Sequence, residues 1–220
     1  MSTEALPNAG EDIQRIHKSI TRALNLAHQH TEAPGVIQAQ QDGFSAYLRA
    51  LTILLHAHHS GEDALAFPFW RERFPKGPFD TLIAQHQGML ASLARLERWL
   101  EESPAAWKND RLSELHTLVS QLQALWLEHI ALEEATIGET ASRRYLTPEE
   151  NQHLAQQLAE HGQTHSVPNA LVMPFIIYNL EEEERVKFAR LLPQVVLEQL
   201  IPGPWKAIWA PMSPFLLPAG

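Results

Sequence analysis

Apolar positions recur every three to four residues along most of this chain. Ile13, Ile16, Ile20, Leu24 and Ala27 make the first such stripe. A 3.6-residue period predicts an amphipathic helix. Glu11 and Asp12 suit its first turn, and Ala33-Pro34-Gly35 ends it. Residues 1–10, with Pro7, Asn8 and Gly10, read as a loose tail. A second helix starts near Asp42-Gly43, carries Phe44, Tyr47, Leu48, Leu51, Leu54, Leu55 and Leu65, and fades at Phe67-Pro68. Pro75, Gly77 and Pro78 mark a turn, and a third helix runs from about Phe79 to Leu100, closed by Ser103-Pro104. The fourth runs from Asp110, read as its cap, to about Glu139. No strand-like alternation interrupts these segments. Four long helices joined by short Pro/Gly loops predict an all-α protein, an up-down-up-down four-helix bundle.

The last third follows a different pattern. Thr147-Pro148-Glu149-Glu150 is a helix start, with Thr as cap and Pro at the first position, and that helix should reach about Glu160. Gly162 and Pro168 then break the chain, and LVMPFIIYNL reads as a short apolar segment. EEEERVKFARLL opens another helix that Pro193 ends or kinks. The Pro- and Trp-rich tail from Pro202 reads as irregular. The organisation expected is a bundle at 11–140 and a helical extension at 141–220 packed on it.

Composition narrows the function. The chain has 220 residues, 45% of them hydrophobic, which suits an ordinary globular fold. With no cysteine, disulfides, thiolate metal sites and cysteine nucleophiles are excluded. A net charge of −9 argues against a nucleic-acid partner, which needs a basic patch. No apolar run is long enough for a membrane span, and MSTEALPNAGEDIQ does not resemble a signal peptide, so a cytoplasmic location is expected. The 12 histidines are many for this length, and His is the commonest metal ligand.

Some of those histidines are patterned. His58 and Glu62 are four apart, which on a helix puts both on one face. His129 and Glu133 repeat the spacing. Shifting the fourth helix back by 71 positions lays Leu122 on Leu51 and Leu125 on Leu54, as well as His129 on His58. Shifting the third back by 69 lays His86 on His17 and Met89 on Ile20. The chain thus looks like two helical hairpins, each with one lone His and one His-x-x-x-Glu.

Depth agrees with this. At about 1.5 Å per residue, His17 lies about 21 Å before the first interhelix turn and His58 about 24 Å after it. Glu62 and His86 each lie about 10 Å from the second turn, and His86 and His129 about 24 and 28 Å from the third. His17, His58, Glu62, His86, His129 and Glu133 therefore reach one layer, while His28, His30 and His116 sit at other levels. His56 is about 200° round the helix from His58 and faces away. His59, about 100° from His58, is an alternative to it as ligand. Asp63 and Glu134 either face a helix flank or support a ligand His. Six mixed ligands are too many for one tetrahedral zinc. Imidazole with carboxylate suits iron, manganese, zinc or copper, and two ions bridged by two carboxylates is the natural use inside a bundle.

At these residues the chain resembles the hemerythrin-like, or HHE cation-binding, family. IHKSITRAL carries the first-helix His, HAHHSGEDALAFP the second-helix His-x-x-x-Glu with Phe-Pro after it, AQHQGMLASLARL the third-helix His and EHIALEEATI the fourth-helix motif. The resemblance implies a non-haem di-iron centre: two iron ions (Fe2+/Fe3+), oxo- or hydroxo-bridged, held by the six residues with Glu62 and Glu133 as bridges. It implies O2, NO or peroxide as ligand, in sensing, detoxification or iron handling. Rivals are an enzyme with peroxidase or NO-reducing activity, and a metal-responsive module signalling through its C-terminal helices, with a homodimer among the expected assemblies. The chain departs from oxygen-carrying members, whose third helix carries two histidines four apart: here Leu82 and Leu90 flank His86. A fifth His, if the centre has one, comes from His59, His28, His161 or His165.

Overall fold

The first helix begins two residues before its acidic pair. α1 spans Ala9–Glu32 because Asn8 lies in extended backbone and its side chain accepts the Glu11 N–H. The computed structural model describes residues 8–102, 104 and 107–218. Residues 1–7 of the expected tail, and Ser103 of the expected stop after the third helix, lie outside that description; residues 8–10 are the cap and first turn. After Glu32 a short α2, Gly35–Ala39, precedes α3, Gln41–Gly61. α5 covers Phe79–Leu100 as the apolar period predicts. α6 covers Asn109–Ile137, so Asp110 is a first-turn acid and not the cap.

The second helix does not fade at Pro68. An α-helix would set the Pro68 ring against the carbonyl four residues back. Instead Glu62–Ala66 widens into a π turn, closed by the Phe67 N–H on Glu62 O, and Pro68 falls in the first turn of α4, Phe67–Arg73. Single π turns are frequent at functional sites. This one begins on Glu62.

The long helices pack pairwise: α1 on α6 and α3, α5 on α6 and α3. Their apolar faces fill two clusters. One holds Ile20, Leu24, Leu51, Leu55, Met89, Leu122 and Trp126; the other holds Ile13, Phe67, Trp70, Phe79, Leu82 and Ile137. On every one of these helices the His and Glu positions fall between the two clusters in sequence.

Past Gly138 the chain stays helical. α7 is Glu139–Tyr145, and α8 is Pro148–His165, opened by a Thr147–Glu150 capping box as its sequence predicts. α8 passes through Gly162, whose propensity penalty of about 1 kcal/mol does not end a docked helix. LVMPFIIYNL forms most of α9, Asn169–Tyr178, with Pro174 inside it. Ala170, Leu171, Val172, Phe175, Ile176 and Ile177 are all buried there, and that burial outweighs a helix-interior proline, about 3 kcal/mol. α10, Glu182–Ala189, ends before Pro193. A π turn follows at Val196–Leu200, and the tail from Pro202, expected to be irregular, holds α11 at Lys206–Trp209 and 3-10 turns at Ala210–Phe215. α8, α9 and the Ala210–Phe215 turns pack on α3. Gly43 allows the closest of these approaches, since a Cβ there would collide with Pro211 O. Among the described residues there is no strand, and no helix is long and apolar enough to cross a membrane.

Candidate metal centre

Seven polar side chains meet between the two apolar clusters. α1 brings His17, α3 brings His58 and His59, the π turn brings Glu62, α5 brings His86, and α6 brings His129 and Glu133. Glu62 is 1% exposed and Glu133 0%. Carboxylates so placed require strong compensation. Their neighbours are imidazoles. His58 Nε2 lies 3.0 Å from Glu62 Oε1, and His129 Nε2 3.1 Å from Glu133 Oε2. His17 Nε2 lies 3.4 Å from Glu133 Oε2 and 3.8 Å from Glu62 Oε1. His86 Nε2 lies 3.4 Å from Glu62 Oε2 and 3.0 Å from His129 Nε2.

Two groups of donor atoms result. His17, His58, Glu62 and Glu133 form one, and His59, His86 and His129 the other, with the atoms in each within 4.8 Å of one another. The two Glu residues face both groups. Hydrogen bonding does not satisfy this cluster: His17 Nε2, His58 Nε2, both ring nitrogens of His59 and all four oxygens of Glu62 and Glu133 are buried without a hydrogen bond. Buried polar atoms are nearly always paired. Converging lone pairs of this kind fit a cation.

Outer partners orient the rings. His17 Nδ1–H donates to Glu134 Oε1 at 2.8 Å, and His86 Nδ1–H donates to Asp63 Oδ1 at 2.8 Å. His129 Nδ1 lies 3.2 Å from Gln85 Oε1. A proton held on Nδ1 leaves the Nε2 lone pair pointing inward. Of the two expectations for Asp63 and Glu134, support of a histidine is what the structure shows, and it runs crosswise: each carboxylate holds the lone His of the other hairpin. Trp126, fully buried, lies edge-on to His17 at 5.3 Å and packs on His58, His59 and His129; its Nε1–H donates to Thr21 Oγ1. Phe67 stacks on His86 at 5.3 Å.

Charge follows the same geometry. Burial works against protonating His17, yet the nearby carboxylates of Glu133, Glu134 and Glu62 hold its pKa well above the ordinary imidazole value. Burial likewise opposes charge on His86, and Glu62 and Asp63 raise it. For His58 burial prevails and lowers the pKa to about 4; for His59 burial and the neighbouring histidines push it well below the usual value. Burial would raise Glu133, but His17 and His129 hold it well below the usual carboxylate value. Anionic carboxylates and neutral imidazoles are what a divalent metal requires.

All six residues singled out by spacing and depth come together. His59 joins them beside His58 rather than replacing it, because the two groups occupy more than one helix face. The other candidates for a fifth histidine lie elsewhere. His28 packs on His116 at 4.8 Å, and His161 stacks on His165 at 3.8 Å with its Nε2 2.8 Å from Ser60 Oγ. His30 lies against Phe215, and His56 turns away to Glu97 Oε1 at 2.9 Å, as its position on the helix predicts. Sequence reasoning missed Gln85, which carries no distinguishing signal, and Trp126, whose signal is its place three residues before His129.

A family model described as the hemerythrin HHE cation binding domain matches residues 8–141. Neither the curated proteins nor the solved structures compared with this chain give a match.

Proposed function

The chain belongs to the hemerythrin HHE cation-binding family, and we propose that it is a non-haem di-iron protein binding O2, NO or peroxide. The observation that carries this is the convergence of buried donor atoms without hydrogen bonds at His17, His58, His59, Glu62 and Glu133. In this reading His17 and His58 would hold one ion and His59, His86 and His129 the other, with Glu62 and Glu133 shared between them. Iron held there would supply reversible redox chemistry toward a small ligand. The protein residues do the rest. Glu134, Asp63 and Gln85 fix the rings of His17, His86 and His129. Trp126 and Phe67 wall the site, and the apolar clusters on either side exclude bulk water. Residues 11–140 form the up-down-up-down bundle in this reading, and 141–220 an extension packed on it.

Elemental analysis of protein prepared without a His tag and supplemented with iron tests the centre. About two ions per chain are expected for a bridged pair. Less than about one, unchanged by supplementation, overturns it. An optical spectrum before and after exposure to O2 tests the ligand class, and no change with O2, NO or peroxide overturns that part. Turnover of peroxide or NO, lost in Glu133→Ala, would make the protein an enzyme.

A second reading, a redox or ligand sensor, is favoured by one observation: α8, α9 and the Ala210–Phe215 turns pack on α3, which carries His58 and His59. Amide exchange in α8 and α9 should then differ between reduced and oxidised iron-loaded protein. Identical exchange rules that output out.

A further inference from the structure

Beside the centre lies an apolar cavity larger than a diatomic ligand needs, about 170 Å³. Its inner end is formed by Leu54, Ala57, His58 and Glu62. Its outer wall comes from Leu158, Val172, Met173, Ile176 and Phe188. Those wall residues lie beyond the matched segment 8–141, so the cavity is a feature of this chain's C-terminal elements.

Size and chemistry specify an occupant. A cavity of about 150 Å³ lined by Leu, Ile and Phe stays dry and takes one benzene molecule. This one fits a single ring. Outside the centre's own Glu62, the charged side chains of the lining are engaged, since Arg15 pairs with Asp12 and with Glu184 Oε2 at 3.1 Å. Apart from the ligand atoms of His58 and Glu62, one buried polar atom in the lining residues has no hydrogen bond. Asn169 donates through Nδ2 to Gln163 O, while its Oδ1 is buried with no hydrogen bond. A single donor on a ligand would satisfy it.

We propose that this cavity binds an uncharged, ring-sized apolar molecule carrying one hydrogen-bond donor, phenol-like in chemistry, with the donor on Asn169 Oδ1 and the ring between Leu54, Val172 and Ile176. The inference deepens the reading of the centre, because His58 and Glu62 form the inner wall, but the cavity itself is built from side chains that need no metal. A molecule seated there lies against one half of the proposed metal site.

Calorimetric titration of the full chain, metal-free and iron-loaded, with phenol and toluene tests this, alongside methyl NMR under xenon pressure. Both organic probes should saturate one site in both forms, phenol about fivefold more tightly, the worth of one net hydrogen bond. Asn169→Ala should remove the preference for phenol and leave toluene unchanged. Met173→Trp should abolish binding of both by filling the space, and Met173→Leu should keep it. Absence of saturable binding overturns the proposal. So does binding that a folded Met173→Trp variant retains, or uptake of xenon alone, which would make the cavity a route for gases. If Met173→Trp does not fold, the phenol-to-toluene ratio in Asn169→Ala decides. Iron content, read in parallel, judges the centre separately: phenol binding by a protein that takes up no iron on supplementation sinks only the reading of the centre, and iron uptake without phenol binding sinks only this inference.

Discussion

The two halves of the centre are near copies that differ at one decisive position. A shift of 71 lays His129 on His58, Glu133 on Glu62 and Glu134 on Asp63. The copies behave alike: Glu134 holds the His17 ring and Asp63 the His86 ring, each at 2.8 Å. The same shift lays Ile130 on His59. The first half therefore adds a third imidazole to the group around His86 and His129, while the group around His17 and His58 keeps two. The backbone differs too, with a π turn starting at Glu62 where α6 runs unbroken through Glu133. The apolar cavity touches His58 and Glu62 and not His86, His129 or Glu133. Repetition of a spacing builds the layer, and departure from it makes the two donor groups unequal, with the imidazole-poor one facing the cavity.

The largest expected effect comes from removing what both positions share. Glu62→Ala or Glu133→Ala should leave less than about a tenth of wild-type iron, because binding energy and site assembly are one quantity here. Elemental analysis reads it, and wild-type iron in either variant would break the bridging role. Making the halves identical comes next. His59→Ile copies Ile130 into the first half and should lower iron from about two ions per chain to about one. Two ions retained would mean that His59 only fills space.

Acid should act on the histidines of both halves. Burial opposes charge on His17 and His86, but the carboxylates around them win, and both pKa values rise in the metal-free protein. Their protons must leave before Nε2 can bind metal, so iron affinity rises with pH through the neutral range. The slope approaches about tenfold per pH unit for each proton displaced. Chelator competition across pH measures it, and a flat profile would contradict the assignment.

Smaller effects sharpen the symmetry. Asp63→Asn and Glu134→Gln should each weaken iron binding roughly 10–100-fold. Like losses in the two variants support the crosswise pairing as a true repeat; a loss in only one would confine it to one half. Gln85→Leu removes only a neutral partner of His129 and should cost less than about tenfold in the same assay.

The six repeated residues were legible because helical rise and period convert sequence spacing into depth and face before any fold is known. α5 matched its expected bounds for the same reason. His59 was legible only as a rival to His58, since a position about 100° away reads as off-face until the helix is rotated against its neighbours. Pro68 and Gly162 misled in a related way. Local propensity counts each as a break, while a π turn at Glu62 and the docking of α8 on α3 overcame it.

By itself the sequence determined that four amphipathic helices place one polar layer of His and Glu at a common level, because periodicity and rise per residue are properties of the backbone. The tertiary structure decided that His58 and His59 both face inward, that Asp63 and Glu134 hold the opposite hairpin's histidine, and that residues 155–192 wall an apolar cavity against one side of the centre. Those outcomes depend on how helices rotate and where distant segments dock, and both are set by packing between segments far apart in the chain, 117 positions for His17 and Glu134.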